Sequence, residues 1–130
     1  MSRTRVLVVD DEINMRETLR DILVEEGFEV SIAETGEKAV KICKSSRFDA
    51  VLMDVRMPGI DGIEASRRIH RIAGETRVII MSAYSVEHLI DASSADGIVG
   101  FLRKPLDAVE LLRLLGDTRN GDSPELGEQR

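Results

Sequence analysis

The stretch VLVVDDE, residues 6–12, runs four aliphatic residues directly into three carboxylates. A continuous aliphatic run of this length reads as a strand buried on both faces, as in the interior of a parallel sheet. Its end poses an electrostatic problem. Two carboxylates about 4 Å apart repel by about 4 kcal/mol at an effective dielectric near 20. Something must offset the crowding at Asp10 and Asp11.

Four further aliphatic runs lie at 28–32, 50–53, 78–81 and 98–102, and three of the five runs are continuous rather than alternating. Between them, apolar residues recur with helical spacing. Over 13–26, Met15, Leu19, Ile22 and Leu23 share a face, and Gly27 is a natural stop. Ala39, Val40 and Cys43 do the same over 37–45, Ile69 and Ile72 over 63–72, and Val109, Leu112 and Leu115 over 106–115. A weaker helix is expected at 85–94, where Val86, Leu89 and Ile90 form a face diluted by β-branched, Ser and His residues. Strand and helix thus alternate five times with short links. The expected fold is α/β, a single doubly wound parallel sheet of five strands covered on both faces by five helices. In such a sheet the site lies at the carboxyl ends of the strands, where strand order reverses.

Composition narrows the function. The chain has 130 residues, which suits one domain. With 3% aromatic residues and no Trp, the core must be built from Val, Ile, Leu and Met. A net charge of −6 argues against binding nucleic acid through a broad basic surface. The single cysteine, Cys43, excludes an internal disulfide framework and fits a reducing compartment. No apolar run reaches the roughly 20 residues that span a bilayer, and MSRTR does not open a signal peptide. A cytoplasmic domain without membrane contact is expected.

The strand ends carry the chemistry. The first strand ends at Asp10 and Asp11, the third at Asp54 in VLMDVRMPGIDG, the fourth at Ser82 in VIIMSAY and the fifth at Lys104 in GFLRKP. Three carboxylates, a hydroxyl and an ammonium therefore emerge at one edge of the sheet. Oxygen-only ligands suit Mg²⁺, which is usually held by a few carboxylates together with a phosphate. With Mg²⁺ and Lys104 present, the charges −3, +2 and +1 sum to zero, which answers the crowding at the first strand's end. No His or Cys cluster has zinc-like spacing.

Over roughly residues 4–117 the chain resembles the receiver domain of bacterial two-component response regulators. The matching motifs are VVDDE, LMDVRMPGIDG, MSAY and KP, in the family's order and spacing. The resemblance implies a flavodoxin-like strand order of 2-1-3-4-5. It implies that Asp54 accepts a phosphoryl group from a histidine kinase or histidine phosphotransfer protein. Asp11, Asp54 and the Arg56 carbonyl would contact Mg²⁺ directly, with Asp10 acting mainly through water. Lys104 would neutralise the phosphoryl oxygens, Ser82 would hydrogen-bond one of them, and Phe101 matches the switch aromatic. Arg56 and Tyr84 match two variable positions at the rim of the site. The peptide joining Lys104 and Pro105 is expected to be cis.

Charge counting suggests how such a domain switches. Phosphorylation replaces the Asp54 charge with about −2, so the site moves from about zero to about −1. That surplus draws the Ser82 hydroxyl inward and leaves room for Phe101. In such a domain the surface of the fourth helix, fifth strand and fifth helix is expected to change with it, for an output partner of unknown identity to read.

Other residues have plainer readings. His70 and His88 are expected on helix surfaces, Cys43 as core filler, and Met57, Pro58 and Gly59 in a loop that shapes the site. The last fifteen residues, GDTRNGDSPELGEQR, are polar and rich in Gly and Asp, and 118 to 130 reads as a disordered tail or linker stump. A rival reading is a Mg²⁺-dependent phosphohydrolase with Asp54 as nucleophile. Dehalogenase-like phosphatases place an acid/base Asp two residues after the nucleophile, and Arg56 stands there. A flavodoxin-type cofactor site needs a hydroxyl- and Gly-rich phosphate loop after the first strand, and DDEINM offers negative charge instead. A receiver-like domain unable to take phosphate fits poorly, since every acidic, hydroxyl and lysine position is filled.

Overall fold

A computed structural model describes residues 3–84 and 97–120, the last four as backbone only. Its strands are β1 (Arg5–Val9), β2 (Glu29–Ala33), β3 (Ala50–Asp54), β4 (Arg77–Ser82) and β5 (Ile98–Arg103). Its helices are α1 (Ile13–Glu25), α2 (Gly36–Ser45), α3 (Gly62–Ile72) and α4 (Ala108–Asn120). All four strand pairings are parallel, in the order β2-β1-β3-β4-β5. The helix expected at 85–94, and His88 with it, lies outside the described residues, which hold four helices. None of these helices is long and apolar enough to cross a membrane.

Alternation along the strands divides the core in two. Leu7, Val9, Val51, Met53, Val78 and Ile80 face one side, with Ala39 and Cys43 of α2 and Ala65 and Ile69 of α3. Val6, Val8, Leu52, Ile79 and Met81 face the other, with Leu19 and Leu23 of α1 and Leu111 and Leu115 of α4. Strands buried on both faces need apolar residues at every position, which is why β1, β3 and β4 read as continuous runs. The chain crosses from β1 to β2 on one side and returns to β3 on the other. The reversal of order therefore opens a crevice between the carboxyl ends of β1 and β3.

Local signals set the helix ends. The Phe28 N–H donates to the Leu23 carbonyl and the Gly27 N–H to that of Val24, closing α1 in a Schellman motif with Gly27 at φ +95°. Thr35 and Asp61 cap α2 and α3 by accepting from the N–H groups of Lys38 and Glu64. Asp107 accepts from the Val109 N–H, so α4 begins two residues later than its pattern suggests. That start turns Val109 outward, 77% exposed, and the buried stripe runs through Leu111 and Leu115 instead. Ile72, on the last turn of α3, is likewise 44% exposed. The last helix continues to Asn120, three residues into the stretch expected as tail.

Candidate functional site

Asp10 leaves β1 with its side chain wholly buried, and Asp54 ends β3 with 6% exposure. Asp11 follows Asp10 and is exposed. These three carboxylates each offer an oxygen within 4.8 Å of the others. Lys104 follows β5 and joins them. Its Nζ donates to Asp10 Oδ2 at 2.9 Å and lies 3.4 Å from Asp54 Oδ1. The Lys104 N–H donates to the Ser82 carbonyl at 2.8 Å, and the Lys104–Pro105 peptide is cis, as expected.

Ser82 ends β4 one residue beyond Met81, the register partner of Asp54. Its hydroxyl is buried and accepts from the Tyr84 N–H at 3.0 Å. An acceptor bond on Oγ leaves the hydroxyl proton available to a further oxygen. The Tyr84 ring is 54% exposed, and the Arg56 guanidinium stacks over it at 4.3 Å from the centroid. Phe101 is half-buried against the core beneath α2 and α3. Gly62 explains why α3 starts so close to the acceptor strand: a Cβ there would stand 2.1 Å from the Asp54 carbonyl oxygen.

Electrostatics follow from this packing. Burial, followed by the charge of Asp10, pushes the Asp54 carboxyl up to about 6, with Lys104 opposing. For Lys104, burial favours the neutral amine. The hydrogen bond to Asp10 and the charges of Asp10 and Asp54 outweigh burial and push the ammonium up. One lysine therefore does not neutralise the three carboxylates, and the cluster retains about −2. An all-oxygen donor set with surplus negative charge fits a hard divalent cation such as Mg²⁺.

The structure brings together Asp10, Asp11, Asp54 and Lys104, with Ser82 on the adjoining strand and Arg56 stacked on Tyr84. Two contacts were not anticipated. Arg16 donates to the Asp10 carbonyl at 2.7 Å, tying α1 to the acidic turn. Glu37 accepts from the Ile60 N–H at 3.0 Å in the loop after Asp54. Helical spacing puts Arg16 on the first turn after the acidic run, which is a weak signal; nothing local links Glu37 to residue 60. His70 departs from its expected surface place, being half-buried with Nδ1 shielded and without a hydrogen-bond partner among the described residues. Cys43 is buried, and burial pushes its thiol up to about 11, consistent with inert core filling. A cavity of about 860 Å³ lies at the opposite, amino edge and is lined by Arg3, Arg5, Lys44, Arg47 and Arg77 among others. Those cations face the carboxyl ends of α2 and α3, where positive charge is expected, and Arg47 is paired with Glu75.

Known proteins share this organisation. The response regulator receiver domain model matches residues 6–115. The chemotaxis protein CheY of Bacillus subtilis is 38% identical over 117 residues, covering 89% of this chain and 98% of CheY. A response regulator receiver protein of Anaeromyxobacter is 35% identical over 85% of this chain, which spans 46% of that relative. The response regulator TrrA of Thermotoga maritima, in complex with Mg(2+)-BeF, superposes with a TM-score of 0.79 at 36% identity, covering 88% of this chain and 98% of TrrA. The family match over residues 6–115, with 38% identity across nearly the whole length of CheY, means that this chain belongs to the receiver domain family of two-component response regulators.

Proposed function

We propose that residues 4–117 form a phosphorylation-driven switch in which Asp54 takes a phosphoryl group from a phosphohistidine. The donor is a histidine kinase or histidine phosphotransfer protein. The observation that carries this reading is Lys104 Nζ held between Asp10 at 2.9 Å and Asp54 at 3.4 Å, with Asp11 completing the carboxylate cluster. An Asp54 oxygen attacks phosphorus, the P–N bond to the donor imidazole breaks, and its electron pair stays on the ring nitrogen. Asp10, Asp11, Asp54 and the Arg56 carbonyl would hold Mg²⁺, which would supply neutralisation of the transferring oxygens. Lys104 stabilises the same oxygens from the β5 side, and Ser82 donates its hydroxyl proton to one of them.

In this reading the phosphorylated site carries about −1, which pulls Ser82 inward and biases Phe101 toward the space it leaves. Val99 on β5 and Val109 on α4 are exposed apolar residues on the surface that would then change, a fitting place for an output partner. The net charge of −6 disfavours direct nucleic-acid contact, and a cytoplasmic setting suits the donor. Acetyl phosphate with Mg²⁺ tests the acceptor. Intact mass should rise by one phosphoryl group in wild type and not in Asp54→Asn; equal labelling of both would overturn the assignment.

A further inference from the structure

Between Asp54 and α3 the chain makes an excursion closed at its base by the Gly62 N–H, which donates to the Val55 carbonyl at 2.9 Å. Met57 anchors its inner side in the core, with Val55 and Ile60 partly buried beside it. The Pro58–Gly59 apex is exposed, and Gly59 holds φ +83°. At this apex a carboxylate arrives from another element. Glu37 Oε2, on the first turn of α2, accepts from the Ile60 N–H at 3.0 Å. A Cβ at Gly59 would lie 2.5 Å from that oxygen and 2.8 Å from Oε1, so glycine is what lets the carboxylate close on the loop. Gly36 fits as tightly, since a Cβ there would stand 2.9 Å from Ile60 Cγ1.

We infer that Glu37 is a positioning residue for the phosphorylation site, a clamp from α2 that fixes the loop after Asp54 and with it the Arg56 carbonyl. The inference rests on the proposed role of Asp54 and Arg56 in holding Mg²⁺. An unclamped loop samples other arrangements, and metal affinity falls by the fraction of time the competent one is lost. A glutamate in a first helical turn also favours the helix dipole, and that effect needs charge. The clamp needs only an acceptor oxygen. Glu37→Gln separates the two, because it keeps the acceptor and loses the charge.

The test compares wild type, Glu37→Gln and Glu37→Ala by amide hydrogen exchange at Ile60 without metal and by Mg²⁺ titration at fixed ionic strength. Glu37→Ala should speed Ile60 exchange about fivefold, the scale of one lost hydrogen bond, and weaken Mg²⁺ binding about threefold. Glu37→Gln should stay within about twofold of wild type on both, since an amide oxygen still accepts from Ile60. Unchanged Ile60 exchange or unchanged Mg²⁺ affinity in Glu37→Ala overturns the clamp and leaves the site reading standing. Equal weakening by Gln and Ala also overturns it, in favour of simple charge. Absence of Mg²⁺ binding by the wild type overturns the site reading and the clamp together.

Discussion

Lys104 Nζ donates to Asp10 Oδ2 at 2.9 Å across 94 residues of sequence, and the same ammonium stands 3.4 Å from Asp54. One cation from the end of β5 thus serves two buried carboxylates from β1 and β3. Removing it leaves both without a compensating charge. Lys104→Met should cost the metal-free protein about 1–3 kcal/mol, the range for a charge-assisted hydrogen bond in a partly wet site. Saturating Mg²⁺ should restore much of that loss. Urea unfolding with and without Mg²⁺ measures both effects, and an unchanged metal-free midpoint would show the pair to be neutral.

Asp54 gives the site a pH signature. Its carboxyl titrates near 6 in the folded protein against an ordinary 3.8. Between those values the folded state holds the extra proton, so this group's contribution to stability falls as pH rises from about 4 to about 6. Asp54→Asn removes the penalty. In metal-free buffer at pH 7.5 the variant should be more stable than wild type by about 1–2 kcal/mol after solvent screening, and the gain should vanish near pH 4. Denaturation midpoints at the two pH values check the sign; a gain that grows toward acid would contradict it.

Asp11 is the exposed member of the carboxylate cluster. Asp11→Ala should leave the metal-free stability within about 0.5 kcal/mol of wild type, as for a surface substitution. Wild type should gain stability with Mg²⁺ in proportion to occupancy, and the variant should gain almost none. Calorimetric titration together with thermal melts at rising Mg²⁺ decides this. Wild-type affinity in the variant would remove Asp11 from the ligand set.

Arg56 and Tyr84 are stacked at 4.3 Å, so they form one shield rather than two. If the shield limits the approach of water to an acyl phosphate on Asp54, cutting either residue should speed phosphate release, and cutting both should add little. Arg56→Ala and Tyr84→Ala should each accelerate release severalfold, each tenfold corresponding to about 1.4 kcal/mol in barrier. The double variant should fall short of the product of the singles. Identical decay in all four proteins would leave the pair without this role.

Much of this protein is determined by its sequence alone, because the signals are local. Continuous aliphatic runs at β1, β3 and β4 can satisfy their burial only inside a parallel sheet, and Asp10, Asp54 and Ser82 are legible because each closes or follows such a run, as Lys104 follows β5. Helix phase was less legible. The pattern 109, 112, 115 competes with 111, 115 at nearly equal merit, and the choice falls to Asp107, whose cap sets where α4 begins. What only the tertiary structure decided depends on side chains that meet across distant segments. Lys104 chooses Asp10 as its closer partner, Arg16 ties α1 to the acidic turn, Arg56 lies over Tyr84, and Glu37 reaches the Ile60 N–H. His70 Nδ1 is shielded for the same reason, since Gly97, just before β5, comes close to the ring, a Cβ there falling 2.9 Å from Nδ1. Periodicity states which face a residue occupies on its own element. Which group stands opposite is settled by strand order and register, and those are fixed when the whole sheet closes its two cores.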